Sequence, residues 1–140
     1  MGKINVIKIQ SEVIKALIKN SYVGFCECED GVWLTLDSCC AYLIPEPEFY
    51  IDMKTRKPMT TLGQIRDKFV FAEKSIPTGE MKQLERFNVM KLKTADGKEK
   101  WIQEKYFKLC DSWSYYKNIF YGCNNGIPVV MCMEVRLKNE

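Results

Sequence analysis

The sequence predicts an α+β fold in which antiparallel sheets dominate and two short helices lie on one face. Three observations predict it: runs of residues that alternate apolar and polar, turn dipeptides between those runs, and two short stretches with helical spacing. The chain has 140 residues, which fits one domain over 1–140 with enough core to fold unaided. Its order repeats in outline as strand, short helix and antiparallel strands. The two halves fall at about 1–53 and 87–140, joined by an irregular connector at about 54–86.

Each element has its own signal. Lys3–Ile9 alternates, so it reads as a first strand with Ile4, Val6 and Ile9 inward. Ser11 then offers an N-cap for a helix over 11–19, with Val13, Ile14, Leu17 and Ile18 on one side and Lys15 and Lys19 on the other. Tyr22–Glu29 alternates again, Asp30-Gly31 is a hairpin dipeptide, and Val32–Leu36 returns as its partner. A turn at Asp37-Ser38 leads into a third strand from Cys40, stopped by Pro45 and Pro47 because proline cannot donate into a ladder.

The middle is less regular. Phe49–Ile51 reads as a short strand, and Thr60 or Thr61 caps a helix from Leu62 to Phe69. Ser75–Gly79 reads as a loop and Glu80–Arg86 as a further helical turn. Beyond it, Phe87–Lys93 pairs with Lys100–Gln103 across the Asp96-Gly97 turn. A basic helix follows over 104–110, with Tyr106, Phe107 and Cys110 inward and Lys105 and Lys108 outward. Ser114–Tyr121 and Pro128–Leu137 then form a closing hairpin around Asn124-Asn125-Gly126.

Composition narrows the function. The chain contains no histidine, which removes the commonest general base and the usual catalytic triads. Its glycines stand singly at turns and form no phosphate-cradling loop. A non-enzymatic protein without cofactor or catalytic residue is the reading. The seven cysteines, odd in number, fit a reducing cytoplasm and buried apolar roles. Cys26, Cys28, Cys39 and Cys40 could be imagined as four thiolates, but the spacing is not that of a zinc knuckle and no metal is expected. The carboxylates Asp37, Glu46 and Glu48, and Glu27 with Glu29, read as solvated strand ends. No apolar run reaches the ~20 residues that cross a membrane.

The net charge of +3 is mild, so any nucleic-acid contact must come from a local face. Two such faces are legible. Lys15 and Lys19, and Lys105 and Lys108, stand at i,i+4 and i,i+3 on exposed helix surfaces. Like charges at that spacing destabilise a helix by ~0.2–0.5 kcal/mol per pair, and a phosphate backbone would offset it. Aromatic residues interleave with lysine at Tyr115-Tyr116-Lys117, where stacking on single-stranded bases is conceivable beside plain strand packing.

Several stretches carry a resemblance. Asp30-Gly-Val-Trp-Leu-Thr through Tyr42-Leu-Ile-Pro, Phe49-Tyr-Ile-Asp, Asp96-Gly-Lys-Glu-Lys-Trp-Ile-Gln-Glu-Lys-Tyr-Phe and the closing Pro128–Leu137 resemble the small clamp-like proteins of phages and prophages, relatives of the bacterial polymerase sliding clamp. The resemblance spans most of the chain outside about 54–86. It implies a single clamp-like domain, with two helices lining a concave, DNA-facing side. Lys15, Lys19, Lys105 and Lys108 fall on those helices. The implied partners are duplex DNA and a replication protein, in a homo-oligomer, since one such domain makes only part of a ring. Two alternatives stand beside it: a module that captures or blocks a host protein, and a small-molecule binder at an oligomer interface.

Overall fold

Apolar spacing of three and four opens the chain. Ile9, Val13 and Ala16 recur on one helical stripe and turn inward together, so α1 runs Val6–Ile18 in a computed structural model that describes residues 6–19, 22–36, 39–44 and 56–137. The first strand expected over 3–9 is therefore helix from Val6 onward, and Ser11 lies inside it instead of capping it. Ile9 satisfies both periods. The helical one wins because it also brings in Val13, which is 2% exposed. Ile14 and Ile18, expected inward, are 49% and 75% exposed.

The chain divides into two compact units, Ile4–Asp67 and Lys68–Glu140. In the first, β1 (Val23–Cys28), β2 (Gly31–Thr35) and β3 (Cys40–Ile44) form an antiparallel meander, with β4 (Arg56–Pro58) added parallel to β1. One parallel pair thus stands among antiparallel ones, and antiparallel pairing dominates. Register puts Phe25, Leu34 and Tyr42 in one row, and they join Val23, Ile44, Ile9 and Val13 in a single core beneath α1. The opposite face carries Cys26 beside Trp33 in register. There α2 (Thr60–Asp67) packs through Gly63, where an added Cβ would lie 3.0 Å from Cys26 Sγ. Asp30, in the β1–β2 turn, accepts from Trp33 Nε1 at 3.2 Å and from Arg66 Nε at 2.6 Å. One carboxylate thus holds the hairpin and α2 together. The helix α2 falls where Thr60 or Thr61 is expected to cap one.

The second unit opens on a 3-10 turn, Lys68–Phe71, and continues through β5 (Glu73–Gln83), β6 (Asn88–Lys93) and β7 (Glu99–Gln103). After α3 (Glu104–Phe107) come β8 (Ser112–Tyr116), β9 (Ile119–Asn124) and β10 (Ile127–Met133). Its strands lie in the order β10-β9-β8-β5-β6-β7, every neighbour antiparallel. The loop expected at Ser75–Gly79 and the helical turn expected over Glu80–Arg86 are mostly β5 instead. Pro77 and Gly79 sit at a register shift in that strand, with Gly79 at φ 84°, so these residues mark a bulge and not a break. The expected strand Ser114–Tyr121 is two strands joined by Lys117-Asn118, at φ 42° and 75°. Asn125-Gly126, at φ 56° and 78°, makes the hairpin turn as expected.

Trp113, Phe120, Tyr121, Val89, Leu92, Ile102, Tyr106 and Val130 are buried in this unit, each stabilising it by roughly 1.5–3 kcal/mol. Past β10, Val135 bridges back to Trp101 of β7, its N–H donating to the Trp101 carbonyl at 2.8 Å. That bridge ties the segment after β10 to β7, the last strand of the order. The fold is α+β, and among the described residues no helix is long and apolar enough to cross a membrane. The expected turn at Asp37-Ser38, the strand at Phe49–Ile51, the stops at Pro45 and Pro47 and the carboxylates Asp37, Glu46 and Glu48 lie outside the described residues.

Candidate functional site

The four candidate lysines are solvent-exposed. Lys15 Nζ lies 3.2 Å from Glu12 Oε1, one turn back on α1. Lys19 follows the last residue of α1 and donates its backbone N–H to the Lys15 carbonyl at 3.1 Å. Lys105 Nζ lies 4.9 Å from the centre of the Tyr106 ring, and Lys108 Nζ is 3.6 Å from Glu104 Oε1 at i,i+4. The like-charge strain inferred from spacing therefore has a local remedy in Glu12 and Glu104, and cations near helix C-termini also suit the helix dipole. Exposed pairs of this kind are worth ~0–1 kcal/mol, weak enough for a phosphate to displace the carboxylate. Lys15 and Lys19 belong to the first unit, Lys105 and Lys108 to the second.

Four of the seven cysteines stand in two close pairs along the sequence. Cys26 and Cys28 share one face of β1 with their Sγ atoms 3.9 Å apart, too far for a disulfide. Burial first, then the Cys26 thiol and the charges of Asp30 and Asp67, push the Cys28 thiol up to about 11. It therefore stays protonated at neutral pH, a poor nucleophile and a poor metal ligand. Cys39 is exposed and Cys40 buried. Among the described residues, no three Cys, Asp or Glu side chains converge as a metal site.

A third surface lies in the second unit. Phe69 packs its ring on Tyr121 at 5.5 Å between centroids, which seats the 3-10 turn on one face of the β8–β9 hairpin. Two residues on, Phe71 lies 5.6 Å from Tyr116, and it remains 56% exposed beside Val70 at 76%. Cations border this pair: Lys68 Nζ is 5.7 Å from the Phe71 ring centre and Lys117 Nζ 5.4 Å from that of Tyr116. By register Lys74, opposite Ser114, shares this face, whereas Glu73, opposite Tyr115, is on the other. Among the described residues no carboxylate pairs with Lys68, Lys74 or Lys117.

Lys117 is held there against its own backbone preference. A non-glycine residue in the left-handed region is disfavoured by roughly 1–2 kcal/mol, so the surroundings must fix the turn. They do so through Asn118. Its N–H donates to the Tyr115 hydroxyl at 3.1 Å, its carbonyl accepts from the Glu134 N–H at 2.9 Å, and its Oδ1 accepts from Arg136 at 3.0 Å. The Tyr115 hydroxyl in turn donates to Glu134 Oε1 at 2.7 Å. Burial, with that carboxylate second, pushes the phenol up to about 12. Of this surface, sequence reasoning singled out Tyr116 and Lys117 and missed Lys68, Phe71 and Lys74. The signal was the run Phe69-Val70-Phe71 between two lysines.

A recess of about 600 Å³ on the same unit is lined by Lys98–Trp101 and Glu134–Leu137. Lys100 Nζ spans it to Glu134 Oε2 at 3.6 Å. No family model, curated protein or solved structure matches the chain.

Proposed function

We propose that this chain is a non-enzymatic accessory protein of phage type, with a clamp-like role in which exposed lysines contact duplex DNA beside the replication machinery. Two helices lining a DNA-facing side, a cytoplasmic setting and a ring of several copies belong to this reading. The observation that carries it is the state of the lysine heads. Among the described residues Lys15 and Lys108 pair with carboxylates of their own helices, Glu12 at 44% and Glu104 at 26% side-chain exposure, which leaves the lysine heads exchangeable toward phosphate. Net charge favours the pair in the second unit: 68–140 carries thirteen Lys and Arg against nine Asp and Glu, whereas 4–67, which holds Lys15 and Lys19, carries seven against nine.

Binding of this kind is sequence-independent and falls steeply with salt, with about 0.9 of log–log slope per phosphate neutralised. Replacing Lys15, Lys19, Lys105 and Lys108 together by Ala is expected to flatten the slope by roughly three to four units with the fold intact. Anisotropy of a labelled duplex across a salt series measures it. An unchanged slope, or no binding at low salt, sinks the duplex reading.

A second reading, small-molecule binding, is favoured by the recess at Lys98–Trp101 and Glu134–Leu137. Its lining sets Lys98, Lys100 and Arg136 beside Glu99 and Glu134, which suits a small polar ligand carrying both charges, and co-purification of one would put this reading ahead.

A further inference from the structure

We infer that the surface built from Lys68, Phe71, Lys74, Tyr116 and Lys117 binds single-stranded nucleic acid, with bases stacked on the two rings and phosphates held by the lysines. The inference stands apart from duplex binding by the helix lysines and does not depend on it.

Three observations converge on that ligand. Phe71 presents ring surface outward and contacts the half-buried Tyr116 at 5.6 Å, where an ordinary core pair would be enclosed. Lysine heads already lie 5.4 and 5.7 Å from the two ring centres. These heads lie over the rings, so a base stacking there displaces them, and their flexible stems let them turn to its phosphate. Lys74 adds a third charge on the same face, and none of the three lysines is paired with a carboxylate among the described residues. The surface is thus cationic and aromatic at once, which complements a chain of phosphates and open base faces. A duplex offers the phosphates but keeps its base faces stacked inside. Apolar continuity reinforces the platform: Ile119 and Met133 follow Tyr116 in register across β9 and β10, and Met133 is exposed.

The strained turn belongs to the argument too. Lys117 occupies φ 42°, where Asn or Gly would sit more comfortably, and four hydrogen-bonding groups of Tyr115, Asn118, Glu134 and Arg136 hold it. That device sets a lysine head beside Tyr116 at the hairpin tip.

The test uses the whole chain with a labelled oligothymidylate of about twelve nucleotides, within the ~4–16 that one small binding fold covers. Its companions are an abasic strand of equal length and a duplex. Binding to the thymidylate is expected, with Phe71→Ala and Tyr116→Ala each weakening it about 5- to 150-fold. The abasic strand is expected to bind wild type as poorly as the thymidylate binds the double variant. Phe71→Leu keeps an apolar side chain on Tyr116 but removes the π-face, so its loss of binding with an unchanged melting temperature separates stacking from folding. The quadruple lysine variant of α1 and α3 is expected to retain thymidylate binding whatever happens to the duplex.

Equal affinity for abasic strand and thymidylate overturns the inference, because charge alone would then account for binding. Unchanged binding in the ring variants overturns it as well. So does a dimer in solution that Phe71→Ala dissociates without any strand binding, since the surface would then be covered by a second copy of the chain.

Discussion

The two units solve the same problem, covering a sheet, by different means. In Ile4–Asp67 a small sheet has a helix on each face, and a single carboxylate, Asp30, pins α2 to the β1–β2 turn. In Lys68–Glu140 helices contribute little, and a longer sheet is tied across itself by the Trp101–Val135 bridge. Charge follows the same division: 4–67 carries seven cations against nine carboxylates, while 68–140 carries thirteen against nine. The first unit buries Trp33 but leaves Tyr22 exposed and Phe25 half-buried beneath Arg56. The second brings two rings into contact on one face, Phe71 and Tyr116, each with a lysine head over it. Paired rings bordered by lysine therefore belong to the second unit, while the first contributes Lys15 and Lys19.

Substitutions in each unit test that contrast. Phe120→Ala should be the most damaging, by about 3–5 kcal/mol, because the ring is fully enclosed and its neighbours Trp113 and Tyr115 contact it edge-on. A urea midpoint near that of wild type would show that the second unit does not depend on this core. Asp30→Ala attacks the first unit through its anchor. Two donors, Trp33 Nε1 and Arg66 Nε, lose their acceptor, and a loss of about 1–3 kcal/mol is expected from the same measurement.

Alkaline pH offers a titration of each unit in turn. Folding holds both the Cys28 thiol and the Tyr115 phenol in the protonated form, so each contributes stability fully below its unfolded pKa. That contribution is lost as pH climbs toward the raised value: from about 9 to 11 for Cys28 and from about 10 to 12 for Tyr115. Urea midpoints against pH should show Cys28→Ala removing the earlier loss and Tyr115→Phe the later. A profile that neither variant changes would mean other groups govern the alkaline limb.

The smallest effect has the opposite sign. Lys117→Asn should raise stability by about 0.5–1 kcal/mol, since Asn tolerates the left-handed region, while weakening binding to single strands. A variant that gains melting temperature and loses no binding would detach the strained turn from function.

How much of this was legible depends on whether the signal is local. Asp30-Gly31, Asp96-Gly97 and Asn125-Gly126 announce their turns because Gly adopts positive φ freely, and the flanking strands follow. Lys117-Asn118 makes the same kind of turn without glycine, so the chain through it reads as one strand. Pro77 and Gly79 read as a loop because both usually interrupt a ladder, yet here they sit at a bulge that the ladder survives. The start of α1 was misread because Ile4, Val6 and Ile9 fit alternation as well as a helix, and only packing against Val23, Leu34 and Ile44 decides it. For the site, exposure of the lysines followed from helical spacing. Their partners at Glu12 and Glu104 were one turn away but went unweighed. The contact of Phe71 with Tyr116 could not be read at all, because it depends on a 3-10 turn seating Phe69 on Tyr121 from a remote part of the chain.

The bridge from Val135 to Trp101 also bears on how the chain is made. Synthesis delivers β5, β6 and β7 well before Val135 leaves the ribosome, so the second sheet waits for its closing contact until translation is nearly through it. The pairing of β5 with β8 spans a similarly long stretch, and non-local pairings of this sort slow folding. By then Ile4–Asp67, whose meander pairs strands close in sequence, has long been available to fold. During that interval the strands of the second unit are exposed to neighbouring nascent chains. A chain truncated after Lys108 and released from the ribosome should therefore show a protease-resistant first unit and a cleavable second one.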